Sequence, residues 1–155
     1  MKSLNIVGLR CSAKDYCFAV LCGSRATPNI IELGFKKFPV GFAVPERQSW
    51  FYKEILELFS KHSPKYVVVK ADESTTKSNS AIERAYAEGV VNLAVGEKVG
   101  KSGCKSKRKV TIAKDLGLKG KAKYLANFDT SAIPKFDDHD DKMKEAILCA
   151  WSELG

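Results

Sequence analysis

Between Lys98 and Lys123 the chain carries ten Lys or Arg residues against one acid, Asp115. Cations at such density neutralise phosphates and release their counterions. Contacts of this kind position a nucleic acid without reading its sequence. The candidate set is Lys101, Lys105, Lys107, Arg108, Lys109, Lys114, Lys119, Lys121 and Lys123. Glycine and serine between the first few would let the backbone follow a phosphate chain. The bland alternative for the same run is a solvated loop. Gly100-Lys101-Ser102 does not complete the phosphate-loop pattern, which counts against nucleotide hydrolysis. A second charged group, Asp137, Asp138, Asp140 and Asp141 around His139, could hold a cation or serve the start of a helix.

Other chemistries find less support. The five cysteines, Cys11, Cys17, Cys22, Cys104 and Cys149, form no Cys-x-x-Cys pair, and only His62 and His139 could join them. A zinc site needs tighter clusters. Reduced thiols, some of them buried, are expected. The formal net charge is +8, from 26 basic and 18 acidic residues, which favours a polyanionic partner without proving one.

These groups need a scaffold. Leu4 to Leu9, Tyr16 to Cys22 and Asn29 to Phe38 are apolar or alternating runs with short polar connections, and they predict a three-stranded meander. In the third run Ile31, Leu33 and Phe35 would share a face. From Glu46 to His62 the period changes: Trp50, Phe51, Ile55, Leu58 and Phe59 make a helical stripe that Pro64 ends. Tyr66 to Val69 reads as a buried inner strand. A second helix is expected from about Ser78 to Leu93, burying Ile82, Tyr86, Val90 and Leu93, with a strand as the alternative for Leu93 to Val95. In it Gly89 would mark tight packing or an early end. Gly96 to Lys109 lacks periodicity and reads as an exposed, mobile loop or a hairpin. Val110 to Leu116 would form a short strand or helix, Gly120 to Phe128 a short helix, and about His139 to Leu154 the last helix. Trp50 and Trp151 lie on apolar stripes and read as core.

The 155 residues suit a single domain, 1–155, with a full core. No stretch reaches the roughly 18–20 apolar residues of a membrane span. The first residues are too short and strand-like for a secretory signal. A soluble cytoplasmic protein is the expectation.

The order β-β-β-α-β-α…α resembles the ribonuclease H-like fold, and in particular its Holliday-junction resolvase branch. Ile6-Val7-Gly8-Leu9-Arg10 resembles that branch's first strand, Tyr66 to Lys70 the fourth, and Ala81-Ile82-Glu83-Arg84-Ala85 the opening of the next helix. Ala113 to Lys123 resembles its lysine- and glycine-rich stretch, and Glu145 to Ala150 its last helix. The resemblance implies an α/β, three-layer fold, a mixed central sheet with helices on both faces. It also implies carboxylates holding two divalent metals, Mg²⁺ or Mn²⁺, that activate water for phosphodiester cleavage. The candidate catalytic set is Asp72, Glu73, Asp141 and Glu145, with Asp72 and Glu145 as metal ligands.

One departure bears on all of this. The first-strand carboxylate position falls on Arg10, which cannot ligate a metal and repels one. The usual partner acid one turn before Glu145 falls on Lys142, leaving Asp141 as a substitute. If the metal site is lost, Arg10 should pair with Glu145 or Asp72, or bind a phosphate. Three functions follow: a resolvase-like DNA- or RNA-associated protein without efficient cleavage, a metal-dependent nuclease with an altered acidic site, or a protein-interaction module. The resembled enzymes act as dimers, so a homodimer is also implied.

Overall fold

The computed structural model describes residues 4–74, 78–118 and 128–155. Strands β1 (Ile6–Cys11), β2 (Asp15–Gly23) and β3 (Pro28–Lys37) form the expected meander. Helix α1 (Val44–His62) leads to β4 (Tyr66–Lys70). Helix α2 (Asn79–Lys98), β5 (Cys104–Lys107), α3 (Lys109–Asp115) and α4 (Asp141–Trp151) follow. The sheet order is β3-β2-β1-β4-β5. The meander pairs are antiparallel, whereas β4 runs parallel to β1 and β5 parallel to β4.

Alternation along the strands sends side chains to two cores. Val7, Leu9, Phe18, Val20, Val67 and Val69 meet Phe51, Ile55 and Phe59 of α1 and Val91 and Val95 of α2. Ile6, Cys17, Ala19, Leu21 and Val68 meet Ala146, Ile147, Ala150 and Trp151 of α4. Each fully buried valine, leucine or isoleucine stabilises the fold by about 1.5–3 kcal/mol. Gly8 allows α4 to lie directly on β1, because a Cβ there would stand 2.0 Å from the Ala146 carbonyl oxygen.

Several sequence expectations are corrected. Residues 96–109 are not a loop: they hold the last turn of α2 and the edge strand β5, stabilised by pairing to β4 that no local pattern reveals. Helix α2 continues through Leu93 to Val95 instead of yielding to a strand. Its buried side is Ala87, Val90, Val91, Ala94 and Val95, while Ile82, Tyr86 and Leu93 are exposed. Small residues let α2 approach the sheet and α1 more closely than the larger stripe would. Gly89 marks neither tight packing nor a helix end: a Cβ there would meet nothing. In β3 a bulge opposite Val20 and Leu21 shifts the parity, so Ile30 rather than Ile31 packs with Leu33 against the α4-side core. The helix expected at Gly120 to Phe128 falls on residues that, except for Phe128, lie outside those described.

Candidate functional site

Strands β1, β4 and β5 are parallel, so their C-terminal ends lie along one edge of the sheet. Leu9 pairs with Val69, and Lys70 with Lys107. Alternation therefore puts Arg10, Lys70 and Lys107 in a row on the face that α4 covers. Each cation carries its own carboxylate. Arg10 Nε donates to Glu145 Oε2 at 2.6 Å, and its Nη1 donates to the Cys11 carbonyl and to Ser12 Oγ. Of the two partners left open for Arg10 by the sequence, the structure has Glu145. Lys70, 3% exposed, holds Glu73 at 2.6 Å and the Ala71 carbonyl at 2.9 Å. Lys107, 2% exposed, holds Asp115 and Glu153 at 2.7 Å each and donates to Ser152 Oγ. Charges taken out of water require such partners.

Helix α4 is fixed over this row by its own N-terminal half. Asp140 caps it, accepting from the Met143 N–H at 2.9 Å. This is the helix-start role left open for the aspartate cluster. Lys142, one turn before Glu145, bonds Asp15 at the start of β2 at 3.0 Å.

The four candidate acids do not meet. Asp141 and Glu145 line a cavity of about 1270 Å³, which Lys70, Lys109, Phe136 and Lys144 also line. Asp72 turns to the Ser74 N–H, with Arg84 3.6 Å away. That N–H bond holds its carboxyl below the usual range against desolvation, helped by the charges of Arg84 and Arg10. Glu73 faces Lys70 and the Lys109 N–H. Partial burial works to raise its carboxyl, but these two bonds outweigh burial and hold it low. Among the described residues no group of three or more His, Cys, Asp or Glu side chains could hold a metal ion. The donor set does not fit a two-metal centre, because an ammonium and a guanidinium stand among the carboxylates.

The basic run divides. Lys101 precedes β5 and so sits at the opposite edge of the sheet from Arg10. Lys105 is mid-strand, bonded to Glu153 and 4.9 Å above the Tyr66 ring. Lys107 is buried in the row described above. Arg108, Lys109 and Lys114 are exposed around α3, beside the cation row. Lys119, Lys121 and Lys123 lie outside the described residues.

Sequence reasoning missed Lys70 and Arg84. Lys70 was findable: it shares strand parity with Val68, so it must face α4. Arg84 pairs with Glu88 one turn on within α2 and ties α2 to the end of β4 through the Lys70 carbonyl at 2.8 Å, a contact that only the folded chain creates.

No protein-family model matches the sequence, and no curated protein matches it. Solved structures do. RuvC from Thermus thermophilus in complex with a Holliday junction substrate superimposes with a TM-score of 0.73 at 13% identity, covering 96% of this chain and 91% of that one. A second T. thermophilus RuvC structure gives 0.73 at 14% identity, covering 96% and 92%. The yeast mitochondrial Holliday junction resolvase Ydc2 gives 0.61 at 11% identity, covering 96% and 78%.

The fold is that of the Holliday-junction resolvases. This resolvase fold is the ribonuclease H-like, three-layer arrangement, with α1 and α2 on one face of a mixed sheet and α4 on the other. Within it the cation row occupies the strand ends beneath α4. No described helix is long and apolar enough to cross a membrane.

Proposed function

We propose that this single-domain chain binds branched DNA or RNA through the edge of the sheet that carries Arg10, and that it does so without efficient cleavage. The observation that carries the reading is the Arg10–Glu145 pair: a permanent cation engages the last-helix carboxylate where a resolvase would need a free oxygen ligand. The likeness to RuvC, whose structure with a Holliday junction substrate shares this fold, supports a branched partner. Exposed Arg108, Lys109 and Lys114 supply phosphate contacts, with Lys119, Lys121 and Lys123 next along the chain. Five free cysteines suit a reducing cytoplasm.

Fluorescence anisotropy with a four-way junction, titrated from about 50 to 200 mM salt, tests this reading. Log affinity should fall linearly with log salt, and Lys109→Ala should lower the slope by about one unit, whereas Lys101→Ala leaves it unchanged. The junction should stay intact with Mg²⁺ or Mn²⁺. Metal-dependent scission abolished by Glu145→Gln would establish the altered-site nuclease instead, and absence of binding would remove the nucleic-acid role.

A homodimer through α2 belongs to the same proposal. Ile82, Tyr86 and Leu93, with Gly89 between the last two, follow the four-three-four spacing of a helix-pairing seam, and the three large side chains are 43–56% exposed. The seam is self-complementary, so a second copy is the partner it fits. Light scattering should give twice the 17.1 kDa chain mass. Tyr86→Lys should return the monomer; a wild-type monomer would overturn the dimer.

A further inference from the structure

The connection from β3 to α1 carries an unexplained apolar tip. Val40 is 100% exposed and Phe42 39% exposed. Pro39 and Gly41 complete the tip, and Gly41 makes its turn at φ +83° with no atom near its absent Cβ. Exposed side chains of this kind on a soft loop would signify little, but this loop is held at both ends. Phe38 is buried in a ring cluster, 5.2 Å from Phe51 and 6.0 Å from both Tyr16 and Trp50. Its N–H donates to the Lys14 carbonyl at 2.9 Å. At the other end Glu46 accepts from the Ala43 N–H, and Pro45 stands in the first turn of α1. The tip is therefore a short knob on a packed base.

Its place in the fold matters as much as its composition. Lys37 at the end of β3 pairs with Asp15 at the start of β2. Asp15 in turn bonds Lys142 of α4. On the other side Arg47 of α1 lies 3.8 Å from Glu83 in α2, one residue from Arg84. The knob thus rises from the same end of the sheet as Arg10. Lys14 and Lys37 beside its base are exposed and have no ion-pair partner among the described residues.

We propose that residues 39–42 form an apolar wedge that enters an unstacked base step of a branched nucleic acid, with Phe42 stacking on a base and Val40 filling the opened step. The inference rests on the nucleic-acid reading above and adds a contact that reading does not use. Val40 and Phe42, even with Val44, 37% exposed at the start of α1, are too little apolar area for a stable protein interface. They are also too little to anchor a chain on a membrane. Insertion between bases requires only one or two apolar side chains, and the lysines at the base of the knob would hold the flanking phosphates. A branch point, where stacking is already interrupted, lowers the cost of that insertion.

The test uses the full chain and a Val40→Ser/Phe42→Ser variant, which alters only exposed side chains. The probes are a four-way DNA junction with 2-aminopurine at the branch and a linear duplex of the same arm sequence. Wild type should raise the 2-aminopurine fluorescence on binding. The variant should bind the duplex as wild type does, bind the junction about ten-fold more weakly, and leave the fluorescence low. Equal junction affinity and fluorescence in the two proteins would overturn the wedge while leaving the nucleic-acid reading intact. An equal loss on duplex and junction would also overturn it. Sedimentation of wild type, but not the variant, with phosphatidylserine-containing vesicles would assign the knob to a membrane and overturn it. Failure of wild type to bind either probe would remove the wedge and the underlying reading together.

Discussion

Toward α1 and α2 the central strands present Val7, Leu9, Phe18, Val20, Val67 and Val69, all within one apolar core. Toward α4 the same sheet presents a second apolar core, Ile6, Cys17, Ala19, Leu21 and Val68, and beside it Gly8, Arg10, Lys70 and Lys107. The first face is built for burial alone. The second combines a close backbone approach at Gly8 with four ion pairs that three cations make at the strand ends. Stability does not explain that choice, because well-packed apolar residues often do as well as or better than buried ion pairs. Helix α4 is therefore a positioned element. Its register over β1 brings Glu145 to Arg10, and the site depends on that register.

Gly8→Val should have the largest effect on the α4 face. The new side chain would collide with the Ala146 carbonyl, so α4 must lift away from β1. The expected cost is about 3 kcal/mol or more, read as a lowered urea midpoint. An unchanged midpoint would mean that α4 is not held by this contact and that the two faces are equivalent.

A smaller effect is expected at the cation row. Arg10→Asp combined with Lys70→Glu would replace two cations of the row with carboxylates beside Glu145. Without metal, the uncompensated charges should destabilise the protein by about 1–3 kcal/mol. Mn²⁺ at about 1 mM should then raise the melting temperature of the variant by selective binding to the folded state. Wild type should show no such rise. A variant indifferent to Mn²⁺ would show that the row does not stand where acidic groups converge.

Much of the scaffold was legible because its signals are local. The meander, the inner strand at Tyr66 and α1 are written in apolar runs and their periods. The substitution at Arg10 was also visible, since a guanidinium at a strand end demands an anionic neighbour wherever it is buried. The strand β5 was not legible. Its sequence, Cys-Lys-Ser-Lys, has no apolar run, and its existence depends on hydrogen bonds to β4 and on Lys107 meeting Asp115 and Glu153. The burial of Lys107 was hidden for the same reason, as its partners lie 8 and 46 positions further along the chain.

Helix α2 shows where the division falls. By itself the sequence determined that residues near 80–95 form a helix with apolar side chains at helical spacing. It contains two such stripes, one of Ile82, Tyr86 and Leu93 and one of Ala87, Val91, Ala94 and Val95. Only tertiary packing decided between them. The space left by α1 and the sheet admits small side chains, so the larger residues turn outward. Periodicity fixes which residues share a face, but the shape of the neighbouring surface fixes which face is buried.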